Sequence, residues 1–106
     1  MKSDTYCIVM TTFSDDNIGN TVIKSLIEKK LAACVQVLGI KSYFHWKGEI
    51  NTDQEKLVLI KTKTSLYDEI EKDIISNHDY ETPEIIAVPI DKGFAGYLNW
   101  ISEECE

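Results

Sequence analysis

Few side chains in this sequence could do chemistry, and their placement narrows the kinds further. The three cysteines, Cys7, Cys34 and Cys105, are widely spaced and form no Cys-x-x-C. An odd number at such spacing argues against a disulfide framework and against a closed zinc site. Cys7 and Cys34 read as small core hydrophobes, and Cys105 as a thiol near a fraying terminus. The only two histidines, His45 and His78, fall into no Ser-His-Asp or Cys-His arrangement that the sequence supports, and no glycine-rich cofactor fingerprint is present. The chain is therefore expected not to be an enzyme. Its formal charge is −7, and every basic residue is a lysine. Arginine supplies the bidentate fork used on phosphate, carboxylate and guanine, so nucleic-acid binding is not expected. Phosphoryl or acyl-phosphate chemistry resting on an arginine clamp within this chain is excluded for the same reason.

The elements that position these groups follow from periodicity. Thr5–Phe13 (TYCIVMTTF) is β-branched and aromatic, as a buried strand should be. Ser14 is the expected N-cap of the helix that follows, with Asp15 and Asp16 in its first turn. Ile18, Val22, Ile23, Leu26, Ile27 and Leu31 give that helix its apolar face. Ala32–Trp46 reads as a strand interrupted by a bulge or bend at Gly39, and Lys47–Gln54 as a turn region. Glu55–Thr64 reads as the returning strand. Ser65 opens a second helix with Asp68 three residues on, and Leu66, Ile70, Ile74 and Ile75 form its stripe. Pro83 ends the loop His78–Glu84, Ile85–Ile90 is a short strand whose Pro89 suits an edge, and Phe94, Tyr97, Leu98 and Ile101 mark a closing helix.

The order is β-α-β-β-α-β plus a terminal helix, an α+β arrangement with the split ferredoxin-like topology. With 106 residues, 43% of them hydrophobic, and no linker or repeat, residues 1–106 form one domain. Met1–Thr5 lacks the apolar run of a signal peptide, and no segment approaches ~18 uninterrupted apolar residues. A cytoplasmic location and no membrane partner are expected.

The long hairpin carries a further inference. Fifteen residues at ~3.3 Å each span about 50 Å, more than one small sheet pairs internally. Its far end bears Tyr43, Phe44 and Trp46, a sticky load if left uncovered. The economical resolution is cover by a neighbouring copy. The alternative is a hairpin that bends at Gly39 and folds back on its own core.

Five strings in this order are similar to one known family: Leu31-Ala32-Ala33-Cys34-Val35, Ser42–Ile50 (SYFHWKGEI), Leu59-Ile60-Lys61-Thr62, Tyr80-Glu81-Thr82-Pro83-Glu84-Ile85, and Gly96-Tyr97-Leu98-Asn99-Trp100-Ile101. They resemble the CutA family of divalent-cation tolerance proteins over nearly the whole chain. The resemblance implies a ferredoxin-like fold assembled as a homotrimer, a response to divalent metal ions, and copper binding in some members.

Relatives that bind copper place a cysteine near the end of the first strand and histidines in the loop before the fourth. Here Thr11 and Asn77 stand at two of those places, while His78 and Glu84 remain. The change removes a soft thiolate and one imidazole. What the resemblance leaves is a weak divalent-cation site of His78 and Glu84, completed by Asp79 or by another subunit. The alternative is that His78 caps or follows a helix C-terminus, where a cation is favoured, and that Glu84 pairs with a lysine. His45 reads as a surface or interface residue.

The family-like strings also mark an intersubunit cleft of Trp46, Lys61, Tyr80 and Glu84. Its alternative is Trp46 as an interface anchor and Lys61–Glu84 as an ordinary ion pair. The expected function is a trimeric divalent-cation tolerance protein with weak copper or other divalent-metal binding. The alternatives are a PII-like trimer that senses small molecules in its clefts, and a scaffolding trimer without a ligand. Nucleotide sensing would call for arginines or a glycine-rich phosphate loop, which the sequence lacks.

Overall fold

A computed structural model of the chain describes residues 4–106. Met1-Lys2-Ser3, on which part of the reading of an absent leader rests, lie outside the described residues. The elements are β1 (Tyr6–Phe13), α1 (Asp16–Glu28), β2 (Cys34–Trp46), β3 (Glu49–Lys63), a 3-10 turn over Thr64–Leu66, α2 (Tyr67–Asn77), β4 (Ile86–Ile90) and α3 (Ala95–Glu104). The four strands form one antiparallel sheet in the order β2-β3-β1-β4, the split ferredoxin-like topology expected from the sequence. No helix among the described residues is long and apolar enough to cross a membrane.

Alternation along the strands builds the core. Cys7, Val9, Thr11 and Phe13 of β1 and Val58, Ile60 and Thr62 of β3 are buried on one face, beneath Val22 and Leu26 of α1 and Ile70 and Ile74 of α2. α1 comes close because residue 19 is glycine: a Cβ there would stand 2.3 Å from the Phe13 ring. At the end of the sheet, Thr62 Oγ1 donates to the Leu31 carbonyl at 2.6 Å. This satisfies two polar groups that the core would otherwise strand.

The opposite face reads out in cross-strand rows. One runs Val88–Ile8–Lys61–Cys34, the next Ile86–Met10–Leu59–Gln36, the next Thr12–Leu57–Leu38. α3 covers only the end of this face where β1 begins: Tyr6 Oη and Ser102 Oγ are 2.6 Å apart, and Lys61 Nζ lies 5.5 Å from the Tyr97 ring centroid. Beyond it Leu38, Ile86 and Val88 remain 45%, 49% and 42% exposed. That is a contiguous apolar surface without a partner among the described residues.

β1 ends opposite Lys56, so beyond Gly39 and Lys56 the strands β2 and β3 pair only with each other. This free ribbon stretches the molecule to 50 × 26 × 21 Å. The radius of gyration is 14.6 Å, against about 13 Å for a compact domain near this length. The ribbon projects rather than folding back.

Several local expectations are corrected. The turn is not Lys47–Gln54 but Lys47-Gly48 alone, with φ of +52° and +79°. Two positive φ values are the geometry of a tight hairpin turn whose twist matches the strands, so Glu49–Gln54 continue as strand. Gly39 makes no bulge, because pairing passes unbroken through Leu38↔Leu57, Gly39↔Lys56 and Ile40↔Glu55. Ser14 does not cap α1. Asp15 does, its carboxylate accepting from the Asn17 and Ile18 N–H groups. Ser65 lies in the 3-10 turn, and no side chain caps α2.

Ile27, Ile75 and Phe94, expected in apolar stripes, point outward, Phe94 being 79% exposed. The stripes drawn from spacing alone were wider than the sheet they meet. Cys34 is only half-buried, since it lies on the open face beside Lys61. Cys105 is not at a fraying end: its thiol is buried against Thr62 and Leu31, and the Glu106 N–H donates to the Lys30 carbonyl at 2.8 Å.

Candidate functional site

The residues singled out by sequence lie along the molecule rather than in one pocket. Lys61 stands in the row Val88–Ile8–Lys61–Cys34, near the α3 end of the sheet. Tyr80 reaches β3 at Glu55, and Trp46 sits at the ribbon tip opposite Glu49. At ~3.3 Å per residue, Lys61 to Glu55 is about 20 Å and Glu55 to Glu49 another 20 Å. Trp46, Lys61 and Tyr80 therefore share no cleft on one chain. Glu84 is exposed, and among the described residues it makes no ion pair. Lys61 likewise has no acidic partner there. Its ammonium rests on the Tyr97 face, and Tyr97 stacks on Trp100 with centroids 5.6 Å apart.

Tyr80 is the centre of the best-formed polar cluster. Where β1 ends, its place beside β3 is taken by Ser14 and by the loop after α2. Tyr80 O–H donates to Glu55 Oε2 at 2.8 Å and lies 2.5 Å from Ser14 Oγ, while Ser14 O–H donates to Asp53 Oδ2 at 3.0 Å. Burial pushes the Tyr80 hydroxyl up to about 12, with the Glu55 and Asp53 carboxylates adding to the rise against the contrary effect of the Ser14 hydrogen bond. The network ties the start of α1, the root of the ribbon and the loop before β4 to one hydroxyl. A shallow open groove bordered by Asp16, Gly39, Lys41 and Gln54 adjoins Ser14 and Glu55.

Sequence reasoning found Tyr80 but missed Ser14, Asp53 and Glu55. In sequence Ser14 reads as the helix cap and Asp53 as part of a turn. The signal that could have found the carboxylates was Lys47-Gly48 read as a two-residue hairpin turn, which puts Asp53 and Glu55 on one face of β3.

His78 is the remaining candidate. Its side chain is 1% exposed. Nε2 lies 2.6 Å from the Thr12 carbonyl, and Nδ1 accepts the Tyr80 N–H at 3.1 Å. Of the neighbouring positions, Asn77 is committed, its Nδ2 donating to the Asp73 carbonyl at 2.9 Å, while Thr11 is buried with its hydroxyl unpartnered. No hydrogen bond or ion pair among the described residues joins His78 to Glu84. Nor do the described residues gather three or more His, Cys, Asp or Glu side chains as a metal-holding group. As they stand, the residues of one chain do not fit a copper or zinc ion, which takes three or four protein ligands with lone pairs free.

Comparison with known proteins gives this geometry its context. The family model described as CutA1 divalent ion tolerance protein matches residues 7–104. The divalent-cation tolerance protein CutA of Thermus thermophilus is 38% identical over 97 residues, covering 91% of this chain and 94% of that protein. The chloroplastic protein CutA 1 of Oryza sativa is 41% identical over 95 residues, 89% of this chain but 54% of the rice protein, so the chain spans about half that relative's length. Among solved structures, the periplasmic divalent cation tolerance protein CutA of Archaeoglobus fulgidus superposes with a TM-score of 0.92 at 36% identity, covering 95% of this chain and 99% of that one. A sheet of the order β2-β3-β1-β4 with a projecting β2–β3 ribbon, matched in sequence from residue 7 to residue 104, places this chain in the CutA1 divalent ion tolerance family.

Proposed function

We propose that the chain works as a homotrimer in the tolerance of divalent cations, without catalysis of its own. The observation that carries the assembly is the uncovered sheet face, where Leu38, Ile86 and Val88 stand beside a ribbon that none of the described residues covers. Apolar area of this kind is removed from water when copies pack face to face. The cellular role is carried over from relatives named for divalent-cation tolerance. Metal contact in this reading is weak and assembled between copies, because the described residues of one chain offer no complete donor set.

The test combines sedimentation with a growth assay. Wild type should sediment as a trimer at micromolar concentration, and Val88→Glu should shift it toward monomer by placing a charge in the buried seam. In cells lacking their own tolerance protein, wild type should restore growth in elevated copper and the monomeric variant should not. A wild-type chain that is monomeric at micromolar concentration removes the proposal.

One observation favours a second reading, small-molecule sensing in the clefts between copies. Lys61 is half-buried in an otherwise apolar row, its ammonium over the Tyr97 ring and without an acidic partner among the described residues. A site of that chemistry takes a small anion with a flat apolar body. A thermal-shift screen of nucleotides and small carboxylates separates the readings. A ligand whose effect vanishes in Lys61→Met supports sensing.

A further inference from the structure

We infer that His78 is a pin and not a metal ligand: both ring nitrogens are spent on the backbone, and what the ring holds is the register of the loop before β4 against the end of β1. A carbonyl oxygen only accepts, so the 2.6 Å contact to Thr12 puts the proton on Nε2. The Tyr80 N–H points at Nδ1, which must then carry the lone pair. These two bonds fix one tautomer and leave no free lone pair for a cation. Asp79 Oδ1 also lies 3.3 Å from Nδ1, but that carboxylate is half exposed and the Tyr80 N–H already occupies the site facing it.

The consequences run outward from the ring. His78 closes α2 as its C-cap residue, and its imidazole packs against the Tyr80 ring with centroids 4.4 Å apart. Tyr80 in turn holds Glu55 at the root of the ribbon. A metal taken by Nε2 would have to break the Thr12 bond, and one taken by Nδ1 would release Tyr80. Either exchange strands a backbone group that is now satisfied. The other imidazole, His45, is exposed on β2, and neither of its nitrogens has a hydrogen-bond partner among the described residues. His45, exposed on the single chain, therefore serves as the internal control. The inference goes beyond the proposed function and is independent of it: a monomeric protein would overturn that function and leave the pin untouched.

Two histidines make the experiment readable. The ring nitrogens of the intact protein are followed by nitrogen-15 NMR while Zn(II) is added until the His45 signals move. The expected result is a His78 pattern of Nε2–H with an acceptor Nδ1, unchanged at zinc levels that shift His45. A His78 shift at the same or a lower zinc concentration overturns the inference, as does a proton found on Nδ1 of His78 before zinc is added. Because His78→Ala could simply unfold the loop, His78→Asn is the second variant. Its side-chain oxygen can accept the Tyr80 N–H two residues on, as asparagine does in turns. It should retain more thermal stability than His78→Ala and the same zinc response as wild type. Loss of the zinc response in His78→Asn, with the fold intact, overturns the inference.

Discussion

Lys29 Nζ lies 2.5 Å from Asp73 Oδ1, joining the C-cap of α1 to the middle of α2. The partners differ sharply in surroundings: the lysine side chain is 60% exposed and the aspartate 5%. The second carboxylate oxygen, Oδ2, is buried without a hydrogen-bond partner. Among the described residues, the lysine is thus the one cation compensating a carboxylate that the helix pair has taken out of water.

Lys29→Met keeps the aliphatic stem and removes that cation. It should destabilise the fold by about 1–3 kcal/mol, the cost of leaving a buried polar group unsatisfied. Adding Asp73→Leu should recover most of the loss, since removing both members of a buried pair spares the desolvation that removing one exposes. Urea midpoints of the two single variants and the double variant measure this. Additive losses would show that the ion pair carries no coupling.

Gly19→Ala should also destabilise, against the helix-propensity trend. Alanine favours a helix interior by up to about 1 kcal/mol, but the new Cβ would fall 2.3 Å from the buried Phe13 ring. Overpacking of this kind costs about 1–3 kcal/mol. Combined with Phe13→Leu, the same alanine should cost less than it does alone. An alanine variant as stable as wild type would show that α1 is free to lift from β1.

The Tyr80 hydroxyl, pushed up to about 12 first by burial and then by Glu55 and Asp53, predicts an alkaline loss of stability. The folded state holds this proton more tightly than the unfolded chain does, whose tyrosines titrate near the ordinary value of about 10. The stabilisation is therefore complete below about pH 10 and is lost as pH rises toward about 12. Tyr80→Phe should flatten the fall in melting temperature across that window. Parallel curves for wild type and variant would detach Tyr80 from the effect.

The topology and the projecting ribbon were legible because period-two and period-3.6 patterns dominate here. The polar cluster was not, for reasons that particular residues show. Ser14 and Asp15 are both good caps, and the sequence cannot say which one a carboxylate on a distant strand will recruit; Asp53 draws Ser14 away. Glu49–Gln54 is too polar to read as strand because beyond Lys56 the ribbon pairs only with β2 and lies over none of the chain's own core, so the alternation that core burial creates is absent. His78 was legible as a chemical group, but its hydrogen-bond partners were not. Thr12 lies far off in sequence and offers a backbone oxygen, which leaves no trace in residue type.

The ribbon tip tests how firmly that extended register is set. Lys47 and Gly48 both adopt positive φ, at +52° and +79°, which glycine and asparagine tolerate and lysine does not favour. Gly48→Ala should destabilise by about 1–2 kcal/mol, the penalty of a Cβ in left-handed backbone. Lys47→Asn should stabilise by a few tenths of a kcal/mol, because asparagine accepts that conformation more readily. Nothing lies within 4 Å of a Cβ added at Gly48, so packing against the same chain cannot obscure the comparison. Opposite signs for the two substitutions in urea unfolding mean that the turn geometry holds Trp46 against Glu49. If Gly48→Ala were neutral, the tip would have another register available, and the exposed rings of the ribbon would have no fixed position from which to meet a second copy.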